Sequence, residues 1–275
     1  MKYSKPLLTG CLFLLISACG GSGGGNTAIN AAEINSNNAQ QLSVIATTAT
    51  RAVILVNSTE SGLTQKNSLP AFDSIAFSEK LAQQLKNTSN SGDFCSGGDY
   101  TTTIAPETGD ATITFNNCVT SFGTIASGTV ITLFTDTGID LAYISFSINL
   151  INVTNIIDFS VSCTENSTGI TCSPTSSITG ITFTDGSDNS ISNISISSNP
   201  DLTFNVSFDI AAHDNGQFSV KAKSVIFNCP APDLGNTSSG SITLSSSGKS
   251  ALVTFDSCSS YTVTVDGVAR SFTWN

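Results

Sequence analysis

Between Phe204 and Ala222 an apolar residue stands at almost every second position. Leu202, Phe204, Val206, Phe208, Ile210 and Ala212 lead up to Asp214-Asn215-Gly216, and Phe218, Val220 and Ala222 resume beyond it. A period of two turns one face of an extended chain toward a core and the other toward water, and a Gly-bearing break folds such a run into a hairpin. A two-residue turn at Asn215-Gly216 would set Ile210 opposite Lys221. A three-residue loop that includes Asp214 pairs Ala212 with Phe218 and Ile210 with Val220, and puts Asp209 across from Lys221. That second register keeps the apolar set on one face and asks for a type I turn plus a bulge with Gly216 left-handed.

The same period runs through most of the chain from Ser91. Tyr261–Val265, Asp266-Gly267 and Val268–Trp274 read as a hairpin with a two-residue type I′ turn and Tyr261 facing Phe272. Further strands are predicted near 111–118, 128–134, 141–163, 178–184, 191–197, 224–229 and 241–245. Parts of 141–161 are apolar enough for a central strand pair covered on both faces. The expected fold is mainly β: an antiparallel meander, either a sandwich or a curved half-barrel-like sheet partly wrapped round two N-terminal helices.

Those helices lie in 36–90. Leu42, Ile45, Ala49, Ala52, Val53 and Val56 recur at spacings of three and four, with Ser36 or Asn37 as the expected cap. A second helix reads from about Asp73 to Asn87, with Ile75, Leu81 and Leu85 on one side and Glu79, Lys80 and Lys86 turned to water. Neither is continuously apolar, so both are expected as lids on a sheet and not as membrane spans.

The first residues carry an address. Lys2 and Lys5 precede the apolar run Leu7–Ile16, too short to span a bilayer comfortably, and the run ends in Ile16-Ser17-Ala18-Cys19. The order of charge, apolar run, small residues and Cys resembles the bacterial lipoprotein class, with Ile16 in place of the more usual Leu. The resemblance implies that signal peptidase II removes residues 1–18 and that Cys19 receives a diacylglycerol and an N-acyl chain. Gly20 follows where an Asp would favour inner-membrane retention in enteric-type bacteria, so the implied destination is the outer membrane. Residues 19–35 then form a tether: the sixteen residues after Cys19 span roughly 20–24 Å root-mean-square as a flexible chain. Gly20-Gly21-Ser22-Gly23-Gly24 matches G-x-S-x-G formally, but a hydrolase elbow needs a strand before that Ser and a helix after it. Loss of Lys2 and Lys5 leaves eight basic against twenty acidic groups, a net charge of −12. That balance repels anionic surfaces and excludes an electrostatic footprint for nucleic acid.

Cys11 leaves with the leader and Cys19 is assigned to lipid. Six cysteines remain, Cys95, Cys118, Cys163, Cys172, Cys229 and Cys258, an even set that argues for disulfides in an exported chain. Zinc is disfavoured, because the chain has no C-x-x-C pair and His213 is its only histidine. A weak internal repeat narrows the pairing. ATITFNNC (111–118) and ALVTFDSC (251–258) align Ala, Thr, Phe and Cys, and each follows an earlier Cys. Equivalent units, 95–118 and 229–258, should close equivalent loops: Cys95–Cys118 and Cys229–Cys258. Cys163–Cys172 is the remainder, flanking a hairpin loop in the β domain 91–275.

Chemistry is sparse. His213 reads as a solvated residue at a hairpin loop, with no nucleophile motif to complete a triad. No acidic pair among twenty carboxylates has a neighbourhood that marks a glycosidase. Asp185, Asp188 and Asn189 form an oxygen-rich stretch without the spacing of a calcium loop. No catalytic residue, metal site or cofactor is therefore assigned. The sixteen Phe admit two readings, an ordinary core or the lining of a β cavity that carries an apolar ligand. The expected function is a lipid-anchored, non-enzymatic protein of binding, adhesion or envelope structure, with the carrier as the alternative.

Overall fold

The protein is represented by a computed structural model that describes residues 30–57, 74–86, 94–120, 123–150, 153–167, 169–173, 177–182, 188–199, 201, 203–229 and 236–274. The leader, Cys19, the glycines after it, Asp185 and Leu202 lie outside the described residues. Two helices come first, α1 (Ala39–Asn57) and α2 (Ser74–Lys86). The strands follow: β1 (Gly97–Ile104), β2 (Ala111–Thr120), β3 (Gly123–Thr135), β4 (Gly138–Leu150), β5 (Val153–Asn166), β6 (Gly169–Ser173) and β7 (Ile178–Thr182). After them come β8 (Asp188–Ser198), β9 (Phe204–Ala212), β10 (Gly216–Ile226), β11 (Ser239–Ser246), β12 (Lys249–Ser257), β13 (Ser260–Val265) and β14 (Val268–Thr273).

All fourteen strands belong to one antiparallel sheet, so the expected meander is present and its single-sheet form is the one adopted. Strands follow chain order from β1 to β14, except that β6 stands off the path and pairs with β5 alone, while β7 takes the place beside β5. That detour changes the direction of every later strand relative to its number. β2 and β12, the two repeat strands, consequently run in opposite directions. Their cysteines close the open mouths of the β1–β2 and β11–β12 hairpins at opposite ends of the sheet. Cys163 and Cys172 face each other directly across β5 and β6. All three expected disulfides are formed.

One face of the sheet and both helices share one hydrophobic core. Alternation produces this wherever it is clean: β9 and β12 bury every second residue and leave the others at the surface. α1 packs against β8, β9, β11 and β13, and α2 against β5 and β6, so the sheet curves round the helices. Here two expectations change. α1 is not a lid, because Ser43, Ala46, Thr47, Ala49, Thr50, Ala52, Val53 and Ile54 are all buried and, among its described side chains, only Gln40, Gln41 and Val44 are exposed. Its hydroxyls tolerate burial by bonding to the preceding turn: Ser43, Thr47 and Thr50 donate to the carbonyls of Ala39, Ser43 and Ala46 at 2.6, 2.8 and 2.7 Å. Arg51, the one charged residue of α1, is also buried, and desolvation pushes its guanidinium down to about 10. The 141–161 region is not covered on both faces, since the helices occupy one side only. Ile144 and Ile156 point outward and are exposed.

Two local details also differ. Asn35, not Ser36 or Asn37, caps the turn into α1, its Oδ1 accepting the Asn37 and Asn38 amides at 2.8 and 3.3 Å. The β9–β10 loop is His213-Asp214-Asn215, and Ala212 pairs with Gly216, Ile210 with Phe218 and Phe208 with Val220. The carbonyl of Ala212 accepts the Asn215 amide at 3.2 Å, which closes the turn one pair earlier than expected. Facing parity survives, because the slip is two residues. Asp209 meets Ser219 instead of Lys221. Gly216 is left-handed (φ 81°), as expected, and the type I′ hairpin at Asp266-Gly267 places Tyr261 opposite Phe272.

Candidate functional site

The inner face carries an aromatic cluster that locks α2 to the sheet. Phe77 of α2 meets Phe115 at 5.8 Å, Tyr143 at 6.5 Å and Phe146 at 6.5 Å between ring centroids. Tyr143 stacks on Phe159 at 4.2 Å, and Phe146 stands edge-on to both Tyr143 and Phe115. Gly128 makes room for Phe146: its φ is 145°, and a Cβ there would fall 2.7 Å from the Phe146 ring. These rings fill space against one another. They form a packed core, and sequence periodicity missed Phe77, since a helical pattern shows which face is buried but not what it meets. Glu79, expected in water, instead accepts the Cys172 amide at 3.2 Å and ties α2 to β6.

A cavity of about 630 Å³ lies where the β3–β4 and β5–β6 tips come together. Gly138 pairs with Thr164, which brings Asp136 at one tip beside Glu165 at the other. Phe134, Ile139 and Ile170 supply its apolar surface, Thr135, Thr137 and Ser167 its hydroxyls, and Cys163 joins it to the β5–β6 disulfide. Phe134 is 40% exposed, while Ile139 is nearly covered. The Phe134 amide donates to Asp110 Oδ1 at 2.9 Å. The Thr108 hydroxyl and then that amide hold the Asp110 carboxyl below the usual carboxylate range. Phe134 is the one phenylalanine among the described residues that line this cavity. Sequence reading passed over Asp136 and Glu165 because their proximity depends on strand register and not on spacing.

A second depression of about 380 Å³ lies on the outer face, over β8 to β11, lined by Asn193, Ser207, Asp209, Ser219, Lys221, Thr243 and Ser245 among others. A bulge in β8 puts Asn193 at φ 56°, from where its amide donates to Asp209 Oδ2 at 2.6 Å, while Ser219 donates to Oδ1 at 2.5 Å. Both carboxylate oxygens are thus engaged by the sheet itself. Hydroxyls continue across the face: Ser241, Thr254, Thr262 and Ser271 stand side by side on β11 to β14.

His213 opens the β9–β10 loop with 73% of its side chain exposed, and Nδ1 lies 2.8 Å from Oδ1 of the adjacent Asp214. Asn189 is not in a loop: it belongs to β8, faces Ala212 across the ladder and is buried. Among the described residues no group of three or more His, Cys, Asp or Glu is arranged to hold a metal.

The amino-terminal arm is fastened at a defined point. Ala31 bridges Gln217 in parallel, with Ala32 N donating to Gln217 O and Gln217 N to Asn30 O, both at 2.8 Å. Gly216 permits this approach, because a Cβ there would lie 2.4 Å from the Asn30 carbonyl oxygen. Strand directions put this contact at the end of the sheet opposite the β3–β4 tip and its cavity.

No protein-family model, curated protein or solved structure matches the chain.

Proposed function

We propose that the protein is a lipid-anchored outer-membrane lipoprotein whose β body serves binding, adhesion or envelope structure without catalysing a reaction. Cysteine accounting carries this reading. Cys95, Cys118, Cys163, Cys172, Cys229 and Cys258 are bonded among themselves, so Cys19 stands outside the disulfide framework. It occupies the acylation position of Ile16-Ser17-Ala18-Cys19. Multiple acyl chains at about 0.8 kcal/mol per buried methylene make an effectively permanent anchor, and three structural disulfides suit an oxidising compartment.

The fastened arm suits a tethered body. Residues 20–29 supply ten residues between Cys19 and Asn30, a reach of roughly 16–19 Å root-mean-square. A non-catalytic role is favoured by the solvent-exposed setting of His213 and by the engagement of both Asp209 oxygens within the sheet.

Mass spectrometry of protein extracted from its own membrane tests the reading. The expected species starts at Cys19, carries acyl chains there and shows the mass deficit of three disulfides. An intact leader with reduced thiols would overturn it. As a second measurement, replacing residues 1–19 with a cleavable secretory leader that lacks the cysteine should move the protein to the soluble fraction.

A further inference from the structure

We infer that the outer-face depression over β8 to β11 binds a neutral saccharide. This assignment rests on the binding role proposed above and names the ligand chemistry for it. The volume of about 380 Å³ lies at the small end of ligand pockets, on the scale of one sugar unit, and further units can lie along the open sheet. Among the described residues Lys221 is the only base and Asp209 the only acid in the lining. The other polar side chains there are hydroxyls and the Asn193 amide. One positive and one negative group leave the depression without net charge, in a chain whose formal charge is −10. A phosphate or a fatty acid would meet Asp209 as a like charge, and a wholly apolar ligand would leave the polar lining without partners. A polyol fits both demands, because its hydroxyls donate to a carboxylate and accept from an ammonium.

Unused hydrogen-bonding capacity points the same way. Lys221 stands on β10 with Ser207 opposite it on β9 and Thr243 opposite it on β11. Among the described residues none of these three side chains, nor that of Ser245, has a hydrogen-bond or ion-pair partner. The row crosses three strands, a span of roughly 9–10 Å. Asp209, in the next row, is held by Asn193 and Ser219 at 2.6 and 2.5 Å. Each of its oxygens keeps a second acceptor site for a ligand hydroxyl. A group fixed in this way loses little freedom on binding. Leu252, opposite Thr243 on β12 and 42% exposed, borders the row and offers an apolar contact to the C–H face of a sugar ring.

Titration calorimetry on the full chain tests the proposal, with zwitterionic nanodiscs in every sample. The probes are maltotriose, cellotriose, mannotriose and triacetylchitotriose, with trigalacturonate and tricarballylate as anionic comparisons. The expected result is saturable binding of at least one neutral trisaccharide, little changed by added salt, and weaker binding of both anions. Lys221→Met and Thr243→Val should each weaken that trisaccharide roughly two- to tenfold with unchanged circular dichroism. Absence of saturable heat with all four neutral probes overturns the proposal, as does tighter binding of either anion. So does a trisaccharide affinity that both substitutions leave unaltered. The acyl group at Cys19 is read separately by mass, so failure here leaves the anchor reading standing and failure there leaves this one standing.

Discussion

Ser78 and Tyr143 share a buried hydrogen bond, 2.5 Å between hydroxyl oxygens, that joins α2 to β4 from opposite sides of the core. Ser78 also donates to the Ser74 carbonyl at 2.6 Å, so the Tyr143 hydroxyl is the group that depends on this contact. Burial raises the Tyr143 pKa well above the ordinary tyrosine value of about 10, and the Ser78 bond offsets part of that rise. A raised value means that the folded state favours the neutral phenol. The associated stability is complete below pH of about 10 and is lost as pH climbs toward the folded value. Tyr143→Phe should cost about 1–2 kcal/mol at neutral pH and flatten the alkaline limb of a denaturation profile. An unchanged alkaline limb would count against Tyr143 as its source.

Gly128 should not tolerate a side chain. Its positive φ and the Phe146 ring 2.7 Å from an added Cβ both oppose substitution. Gly128→Ala is expected to destabilise by about 2–4 kcal/mol through backbone strain and displacement of Phe146. Chemical denaturation gives the number, and near-ultraviolet circular dichroism should lose intensity as the cluster loosens.

The three disulfides should differ in worth by loop length. In the chain-entropy account, bridges of separation 9, 23 and 29 contribute about 2.6, 3.4 and 3.6 kcal/mol. Paired Cys→Ser substitutions should therefore rank Cys163/Cys172 as the mildest, provided that the denatured chain dominates the effect. The reverse order would show that native contacts around Cys172, including the Glu79 bond, matter more.

Gly216→Ala should free the arm without unfolding the body. The new Cβ would meet the Asn30 oxygen at 2.4 Å and disturb the two backbone bonds that, together with the burial of Ala32, hold Asn30–Ala32 there. Limited proteolysis should cut before Asn35 faster than in the unaltered protein, while the midpoint of global unfolding falls by only a few degrees, about 1–2 kcal/mol.

Much of this architecture was legible because strands announce themselves by alternation and loops by Gly. The Tyr261–Phe272 pairing and the three disulfides followed from turn chemistry and from the likeness of 111–118 to 251–258. The β9–β10 register did not, since two slips that preserve facing parity are equal in hydrophobic pattern and only the Ala212–Asn215 turn bond separates them. The burial of α1 had a visible sign in its single charge, Arg51, but its Ser and Thr residues disguised it as half polar. The hydroxyls of Ser43, Thr47 and Thr50 bond back onto their own helix backbone. Asp136 and Glu165 were illegible as neighbours, because they stand 29 positions apart with the whole β4–β5 hairpin between them, and the Gly138–Thr164 pairing is what brings their tips together.

The detour of β6 has a mechanical result. With strand direction inverted beyond it, the two like clasps lie at opposite ends of the sheet, Cys95–Cys118 at the β1 margin and Cys229–Cys258 two strands in from the β14 margin. A broad, unclosed sheet unravels most readily from its lateral margins, and here fraying that begins on either flank meets a covalent stop before it travels inward. Reducing agent would release both clasps at once, so the protein's resistance to peeling is tied to the redox state of its surroundings.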